Sequence, residues 1–186
     1  MSIITFIAPP LSGKGTQAKE IELRTAWKHV STGDLLRDRM NGNDKIARAI
    51  KRTMDAGTFA SEAIVDQVLK DRLAQPDCQN GLILDGYPRV LAQAKTLDTL
   101  TQQANTVFAG AIHIDVPEQE LFNRLAQRGR ADDTPDVLKK RLKDYQDKTM
   151  PVVEYYRKRG LLIEIDGAQP MADVTRDICI ALNIKP

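Results

Sequence analysis

Short apolar runs alternate along the chain with longer stretches in which apolar residues recur every three or four positions. Apolar runs bounded by glycine, proline and polar residues predict strands, and the longer pattern predicts helices. Five such runs occur, at residues 3–7, 28–30, 81–84, 108–116 and 161–165. Strands that alternate with helices form a parallel sheet. The pattern therefore predicts an α/β fold: a five-stranded parallel sheet flanked by helices on both faces.

Residues that favour N-caps mark several helix starts. Ser31, Ser61 and Thr134 each precede a helical pattern, and Pro135 after Thr134 suits a first helical position. The long helix that begins there can bend at Pro151 and is expected to end before Gly160.

Composition narrows the class of protein. With 186 residues and 42% apolar content, the chain is expected to form one domain with one core. A net charge of +2 argues against binding to nucleic acid or to an anionic membrane. Cys78 and Cys179 stand far apart, which predicts reduced thiols rather than a zinc site or disulfide. The short N-terminal apolar run suits neither an anchor nor a signal peptide, so a cytoplasmic monomer is the default expectation.

The first predicted strand leads into a glycine loop (residues 8–16) that opens a helix. Loop amides, the helix dipole and Lys14 would together attract a phosphate group. The usual P-loop pattern has glycine where this chain has Ala8, and serine or threonine where it has Gly15. On these residues alone, an ordinary strand-to-helix turn with a surface lysine remains an alternative.

Further polar residues follow the other predicted strands. The carboxyl ends of parallel strands share one edge of the sheet, where ligands bind. Asp85 ends the third strand and is a candidate for holding Mg²⁺, directly or through water; the alternative is that it caps the turn at Gly86. Asp34 is a candidate for sharing the ion with Asp85. Its position in the first turn of a helix is explained equally well by a favourable interaction with the helix dipole.

Arginines form a second group of candidates, because the guanidinium group binds phosphate oxygens with two hydrogen bonds and keeps its charge. Any one of them alone is more simply read as a solvated helix residue, but their positions near strand ends and in a polar loop favour a phosphate site. The loop at residues 127–133 resembles a lid. The candidates are Arg37, Arg89, Arg124, Arg128, Arg130 and Arg141.

With these residues in view, the chain resembles the adenylate kinase family of nucleoside monophosphate kinases from residue 3 to its C-terminus. In this family a glycine after the lysine is normal, and Thr16 supplies the hydroxyl. The matching segments are SGKGTQ at Ser12, HVSTGDLLR at His29, MDAG at Met54, LDGYPR with Gln93, RLAQRGRADD with KKRL between Arg124 and Leu142, and YYRKRGLLIEIDG at Tyr155.

The resemblance implies a P-loop fold with a small helical acceptor-binding insert (residues 31–60) and a short lid loop (128–136). The core would then comprise residues 1–30, 61–127 and 137–186. The lid leaves no room for the zinc-binding insert of longer relatives, so no structural zinc is expected.

The resemblance also implies a reaction, the transfer of the γ-phosphoryl group of MgATP to AMP. Asp85 would place Mg²⁺ through water, and no general base is required because the attacking phosphate oxygen is already ionised. His29 and His113 are therefore expected to be structural. The implied ATP-binding residues are Ser12, Gly13, Lys14, Gly15, Thr16 and Arg124, with Arg124 against the adenine. The implied AMP-binding residues are Thr32, Arg37, Gly86, Arg89, Gln93, Arg130 and Arg141. The implied catalytic residues are Lys14, Arg89, Arg128, Arg130 and Arg141.

The resemblance also favours AMP as the acceptor. Relatives that phosphorylate UMP or CMP tend to carry alanine in place of Thr32 and asparagine in place of Val90, whereas in adenylate kinases the glutamine at Gln93 faces the adenine edge. A buried amide left unpaired by the wrong base is costly. Ala8 and Leu11 depart from the family, which usually has glycine at both positions. Leu11 would either adopt a strained left-handed conformation or take ordinary dihedrals and pack over the loop. Two alternatives therefore stand beside adenylate kinase: a UMP/CMP-type kinase, and a non-catalytic nucleotide-binding regulator.

Overall fold

A parallel sheet forms the centre of the molecule. The computed structural model describes residues 2–103, 106–128 and 134–185, without the side chains of residues 103, 127 and 128. All neighbouring strands are parallel, in the order β2-β3-β1-β4-β5. The five predicted strands are therefore confirmed: β1 (Ser2–Ile7), β2 (Lys28–Ser31), β3 (Leu82–Asp85), β4 (Val107–Asp115) and β5 (Leu162–Asp166).

Helices connect the strands, as the pattern predicts. Ser31 Oγ accepts a hydrogen bond from the Asp34 N–H (3.2 Å), and Thr134 Oγ1 accepts one from the Val137 N–H (3.3 Å), so both residues are N-caps. Ser61 precedes a helix, but its side chain makes no cap hydrogen bond. The helices are α1 (Lys14–Arg24), α2 (Thr32–Met40), α3 (Lys45–Asp55), α4 (Glu62–Leu73), α5 (Leu91–Gln103), α6 (Glu118–Arg128), α7 (Pro135–Asp144), α8 (Met150–Lys158) and α9 (Met171–Ala181), with a 3₁₀ turn at Pro76–Cys78.

Apolar side chains pack against both faces of the sheet. On one face, helices α1, α6 and α9 cover the strands, with Ile21 and Ile178 fully buried against Ile112. On the other face, α4, α5 and α8 contribute residues such as Leu69, Leu97 and Val152. Each large apolar side chain that is buried in this way stabilises the fold by about 1.5–3 kcal/mol. The helices leave the carboxyl ends of the strands open for a site.

The predicted long helix after Thr134 is interrupted by one wider turn. Between α7 and α8, residues Tyr145–Thr149 form a π turn, in which the Met150 N–H donates to the Tyr145 carbonyl. Pro151 follows at once and has no N–H to continue the α-helical pattern, which accounts for an irregularity at this place. The run ends at Lys158, before Gly160 (φ 65°), as the sequence predicts.

Both cysteines, Cys78 and Cys179, are buried free thiols, in agreement with their expected structural role. Within the described parts of the chain, every helix is too short or too polar to cross a membrane.

Candidate active site

A cleft of about 1160 Å³ lies at the carboxyl ends of β1, β2 and β3. It brings together residues that the sequence separates widely. Ser12 lies buried within the glycine loop, Arg130 lies outside the described residues, and so does the side chain of Arg128. The other candidates line the cleft: Gly13, Lys14, Gly15, Thr16, Thr32, Arg37, Asp85, Gly86, Arg89, Gln93, Arg124 and Arg141.

The glycine loop delivers the N-terminus of α1 to this cleft. Gly13 is the N-cap residue, with φ 88°, a conformation that glycine adopts without strain. The N-cap residue Gly13 has no side chain to cap α1, and the first turn carries no acidic residue; the Lys14 N–H makes only a long hydrogen bond to Ser12 Oγ (3.4 Å), whereas Ser31 caps α2. A helix N-terminus left uncapped beside a lysine is a site for an anion.

Leu11 adopts the left-handed conformation, with φ 65°. Its side chain is only 8% exposed and joins the apolar cluster that contains Val116 and Leu121. The backbone costs about 1–2 kcal/mol, and burial of the leucine returns a similar or larger amount. Both alternatives from the sequence thus hold in part: the backbone is strained, and the side chain packs. Ala8 packs against the same cluster.

Arg124 holds the glycine loop from α6. Its guanidinium group donates to the carbonyls of Ser12 (3.1 Å) and Gly167 (2.9 Å), more weakly to that of Leu11 (3.5 Å), and Nε donates to Glu120 (2.9 Å). All of these donors are directed at protein acceptors, so Arg124 links α6 to the glycine loop and to the segment after β5.

Asp85 lies at the end of β3, 6% exposed, between Lys14 and His29. Lys14 Nζ is 3.9 Å from Oδ1, and His29 Nε2 is 3.4 Å from Oδ2. Burial raises the pKa of Asp85, but Lys14, His29 and Arg89 more than offset this effect and leave the pKa below its ordinary value. Asp85 is therefore a carboxylate at neutral pH. The glycine loop packs closely against it, since a Cβ on Gly15 would lie only 3.3 Å from Asp85 Oδ2.

His29 lies on a strand, as expected, but it also lines the cleft and contacts Asp85. Nothing in the sequence pattern connects these two residues, because the pairing of β2 with β3 is not visible in the chain order. His113, on β4, is buried and hydrogen-bonds Tyr145 (2.7 Å).

Arg89 lies on the side of the cleft opposite the glycine loop, and hydrogen bonds to neighbouring residues fix its conformation. Its N–H donates to Gln93 Oε1 (2.8 Å), and its Nε donates to the Gly86 carbonyl (2.8 Å). Thr32 Oγ1 donates to the same carbonyl (2.9 Å). A Cβ on Gly86 would lie 2.8 Å from both Arg89 Nη2 and Thr32 Oγ1, so only glycine permits this close packing.

Three arginines converge in this half of the cleft. Burial lowers the pKa of Arg89, and Arg141 and Arg37 lower it further, while Asp85 acts in the opposite direction. Arg37 itself is hydrogen-bonded to Asp34. Like charges gathered in a cleft, at a cost to the protein, indicate a site for a strongly anionic ligand such as phosphate.

Two cleft residues carried no signal in the sequence. The ring of Phe59 lies 5.0 Å from the guanidinium carbon of Arg89 and 5.3 Å from Lys148 Nζ, both within cation–π distance. Neither Phe59 nor Lys148 belongs to a recognisable motif, and only the packing of the π turn against the segment after α3 brings them together.

The residues present suit Mg²⁺ bound through water. Within the described residues, no group of three or more His, Cys, Asp and Glu side chains is placed to hold a metal ion. A single buried carboxylate next to a phosphate site is nevertheless sufficient for Mg²⁺, which keeps several waters and takes further ligands from the phosphates.

A parallel α/β fold with a glycine loop at the start of a helix, facing an arginine-rich half-cleft, is the arrangement of a P-loop kinase fold. The sequence model of the family described as adenylate kinase matches residues 6–161. The chain belongs to the adenylate kinase family, and it is an enzyme of the phosphotransferase class.

Relatives named adenylate kinase match nearly the whole chain. The chain is 39% identical over 184 residues to one from Stenotrophomonas maltophilia (strain K279a) and to one from Xylella fastidiosa (strain M12); in each case the match covers 97% of this chain and 98% of the relative. It is 37% identical over 182 residues to one from Leptospira biflexa, with 96% and 98% covered.

Proposed function

We propose that this protein is an adenylate kinase, which transfers the γ-phosphoryl group of MgATP to AMP and forms two molecules of ADP. Family membership supports the class of reaction. The observation that carries the assignment is the convergence of Arg37, Arg89 and Arg141 in one cleft with the glycine loop. This arrangement offers one phosphate site for a donor and another for an acceptor.

The donor ATP binds at the glycine loop. The amides of Gly13 to Thr16 and the ammonium of Lys14 hold its phosphates, in a loop that Ser12 and Arg124 keep in shape. Arg124 meets the adenine with its face, since its N–H groups donate to backbone carbonyls.

The acceptor AMP binds on the other side. Arg37 and Arg89 hold its phosphate, with Thr32 and Gly86 shaping the pocket. Gln93 reads the base: its Oε1 accepts from the Arg89 N–H, which orients the side-chain NH₂ group as a donor to an adenine ring nitrogen. Arg128, Arg130 and Arg141 close over the transferring group.

Catalysis follows from positioning and charge stabilisation. The acceptor phosphate oxygen is ionised and attacks directly in line, so that no general base is needed. The arginines bind the equatorial oxygens of the moving group and stabilise the charge that spreads over them. Asp85 holds Mg²⁺ through coordinated water, and the ion supplies charge neutralisation at the donor phosphates.

The domain organisation is part of the same proposal. We assign residues 31–60, which contain α2 and α3, to the acceptor-binding insert, and residues 128–136 to a short lid. The net charge of +2 gives no strong electrostatic attraction to nucleic acid or to an anionic membrane. We take the protein to be a monomer in the cytoplasm.

The experiment incubates the purified protein with ATP, AMP and Mg²⁺ and separates the products by chromatography. We expect two ADP to form for each AMP consumed, and Lys14→Met to lower the rate strongly. ATP binding without ADP formation would overturn the proposal in favour of a non-catalytic regulator.

A further inference from the structure

Thr149 uses its hydroxyl to join two distant parts of the chain, as Thr32 does through its hydrogen bond to the Gly86 carbonyl. By contrast, Thr53, Thr96, Thr99 and Thr101 donate their hydroxyl protons to carbonyls three or four residues earlier in their own helices. Such back-bonding is the usual habit of threonine in a helix. Thr149 instead donates to the Arg89 carbonyl, 60 residues away in the chain, at 2.9 Å. Thr149 is 5% exposed and lies in the wall of the cleft.

The π turn accounts for this difference. In this turn the Met150 N–H donates to the Tyr145 carbonyl in the i→i−5 pattern, so the backbone around Thr149 departs from the α-helical geometry in which threonine back-bonds. Thr149 sits at the last position of the turn, and its hydroxyl reaches out of the helix toward Arg89. Isolated π turns are often found at functional sites, where they redirect one side chain.

The hydrogen bond from Thr149 is the third contact that holds Arg89 in place. Gln93 binds its N–H, Gly86 accepts from its side chain, and Thr149 binds its carbonyl. Both polar groups of the Arg89 backbone are thus satisfied by side chains from two different helices. The helix run that carries Thr149 also carries Arg141, about two turns earlier. One rigid element therefore positions two of the converging arginines.

We propose that Thr149 is a positioning residue, which acts through the backbone of Arg89 to place its guanidinium group for the acceptor phosphate. This inference rests on the proposed function, since it takes Arg89 to bind AMP. Thr149 itself need not touch a nucleotide. A shift in the Arg89 backbone of a fraction of an ångström would weaken acceptor binding and transfer, because phosphoryl transfer depends on alignment.

The first test replaces Thr149 with valine, which keeps the shape and removes the hydroxyl, and with serine, which restores it. Thr149→Val should raise the KM for AMP about tenfold and leave the KM for ATP within about twofold, and Thr149→Ser should recover most of the loss. Thr101→Val is the matched control, because Thr101 is equally buried and hydrogen-bonds within α5. It should lower the Tm without changing either KM. Equal losses for ATP and AMP, or an unchanged KM for AMP, would overturn the inference.

The second test asks whether Thr149 acts through Arg89. Calorimetry measures AMP binding by the wild type, Thr149→Val, Arg89→Ala and the double variant. If Thr149 works through Arg89, adding Thr149→Val to Arg89→Ala should change the AMP Kd by less than about twofold. Independent, additive losses would refute the positioning role. Because binding is measured without turnover, and the wild type is assayed separately for ADP formation, failure of this inference is distinguishable from failure of the proposed function.

Discussion

The ammonium of Lys14 lies 3.9 Å from Oδ1 of Asp85, although 71 positions separate them in the chain. The parallel pairing of β1 with β3, in which Phe6 lies opposite Asp85, brings the two together. Lys14 follows β1 through the glycine loop, and Asp85 ends β3 itself. This pairing places the lysine of the donor phosphate site next to the carboxylate proposed for Mg²⁺.

Asp85→Asn should change the pH dependence of stability. The pKa of Asp85 is lower in the fold than its ordinary value of 3.8, so ionised Asp85 stabilises the folded state above that value. This contribution is lost as the pH falls through the folded pKa. The difference in unfolding free energy between wild type and Asp85→Asn should therefore move in favour of the variant below about pH 5. Urea unfolding of both proteins between pH 7 and pH 3 measures this difference in free energy. A difference that does not change with pH would contradict a lowered pKa for Asp85.

Arg89→Met should separate activity from stability. The protonated guanidinium group is less stable in the fold than in the unfolded chain, because burial and the neighbouring Arg141 and Arg37 lower its pKa. The variant should thus keep a Tm close to the wild-type value or above it, while ADP formation falls on the order of 10³-fold. Arg176→Met, on the exposed surface of α9, is the control and should leave the rate unchanged. A near-normal rate for Arg89→Met would rule out the role given to Arg89.

Leu11 allows the strain in the glycine loop to be measured. Leu11→Ala and Leu11→Gly both remove a buried side chain, at a cost of about 2–5 kcal/mol. Only glycine relieves the left-handed conformation, so Leu11→Gly should be more stable than Leu11→Ala by about 0.5–1 kcal/mol. Chemical unfolding of the two variants gives this difference. The opposite order would show that the backbone at Leu11 is not strained.

Arg124→Gln should weaken the donor site selectively. It removes donors to the carbonyls of Ser12 and Gly167, which hold the glycine loop, and should raise the KM for ATP about tenfold with little change for AMP. Glu120→Gln is the control, because it removes the charge of the partner and leaves the carbonyl contacts of Arg124 in place. Steady-state kinetics with each nucleotide varied in turn distinguishes the two. An equal rise in the KM for ATP in both variants would show that the Arg124–Glu120 ion pair, and not the carbonyl contacts, supports ATP binding.

The sequence predicted those parts of the fold that depend on local patterns. Apolar runs defined all five strands, and Thr134 with Pro135 marked the start of α7. Residues whose roles depend on contacts distant in the chain were missed. His29 meets Asp85 only because β2 pairs with β3, and Thr149 meets Arg89 only because a π turn redirects it. The conformation of Leu11 stayed open because a lone leucine in a loop gives no local signal, and the apolar cluster that receives its side chain comes from other parts of the chain.

The most direct test of the account is the acceptor profile of the purified enzyme. The initial rate of ADP formation from MgATP is measured with AMP, UMP, CMP and GMP as alternative acceptors. We expect AMP to be preferred by at least about 100-fold in kcat/KM, because Gln93 is left unpaired by the wrong base. A preference for UMP or CMP, or no transfer to any of the four, would contradict the assignment of this cleft to AMP.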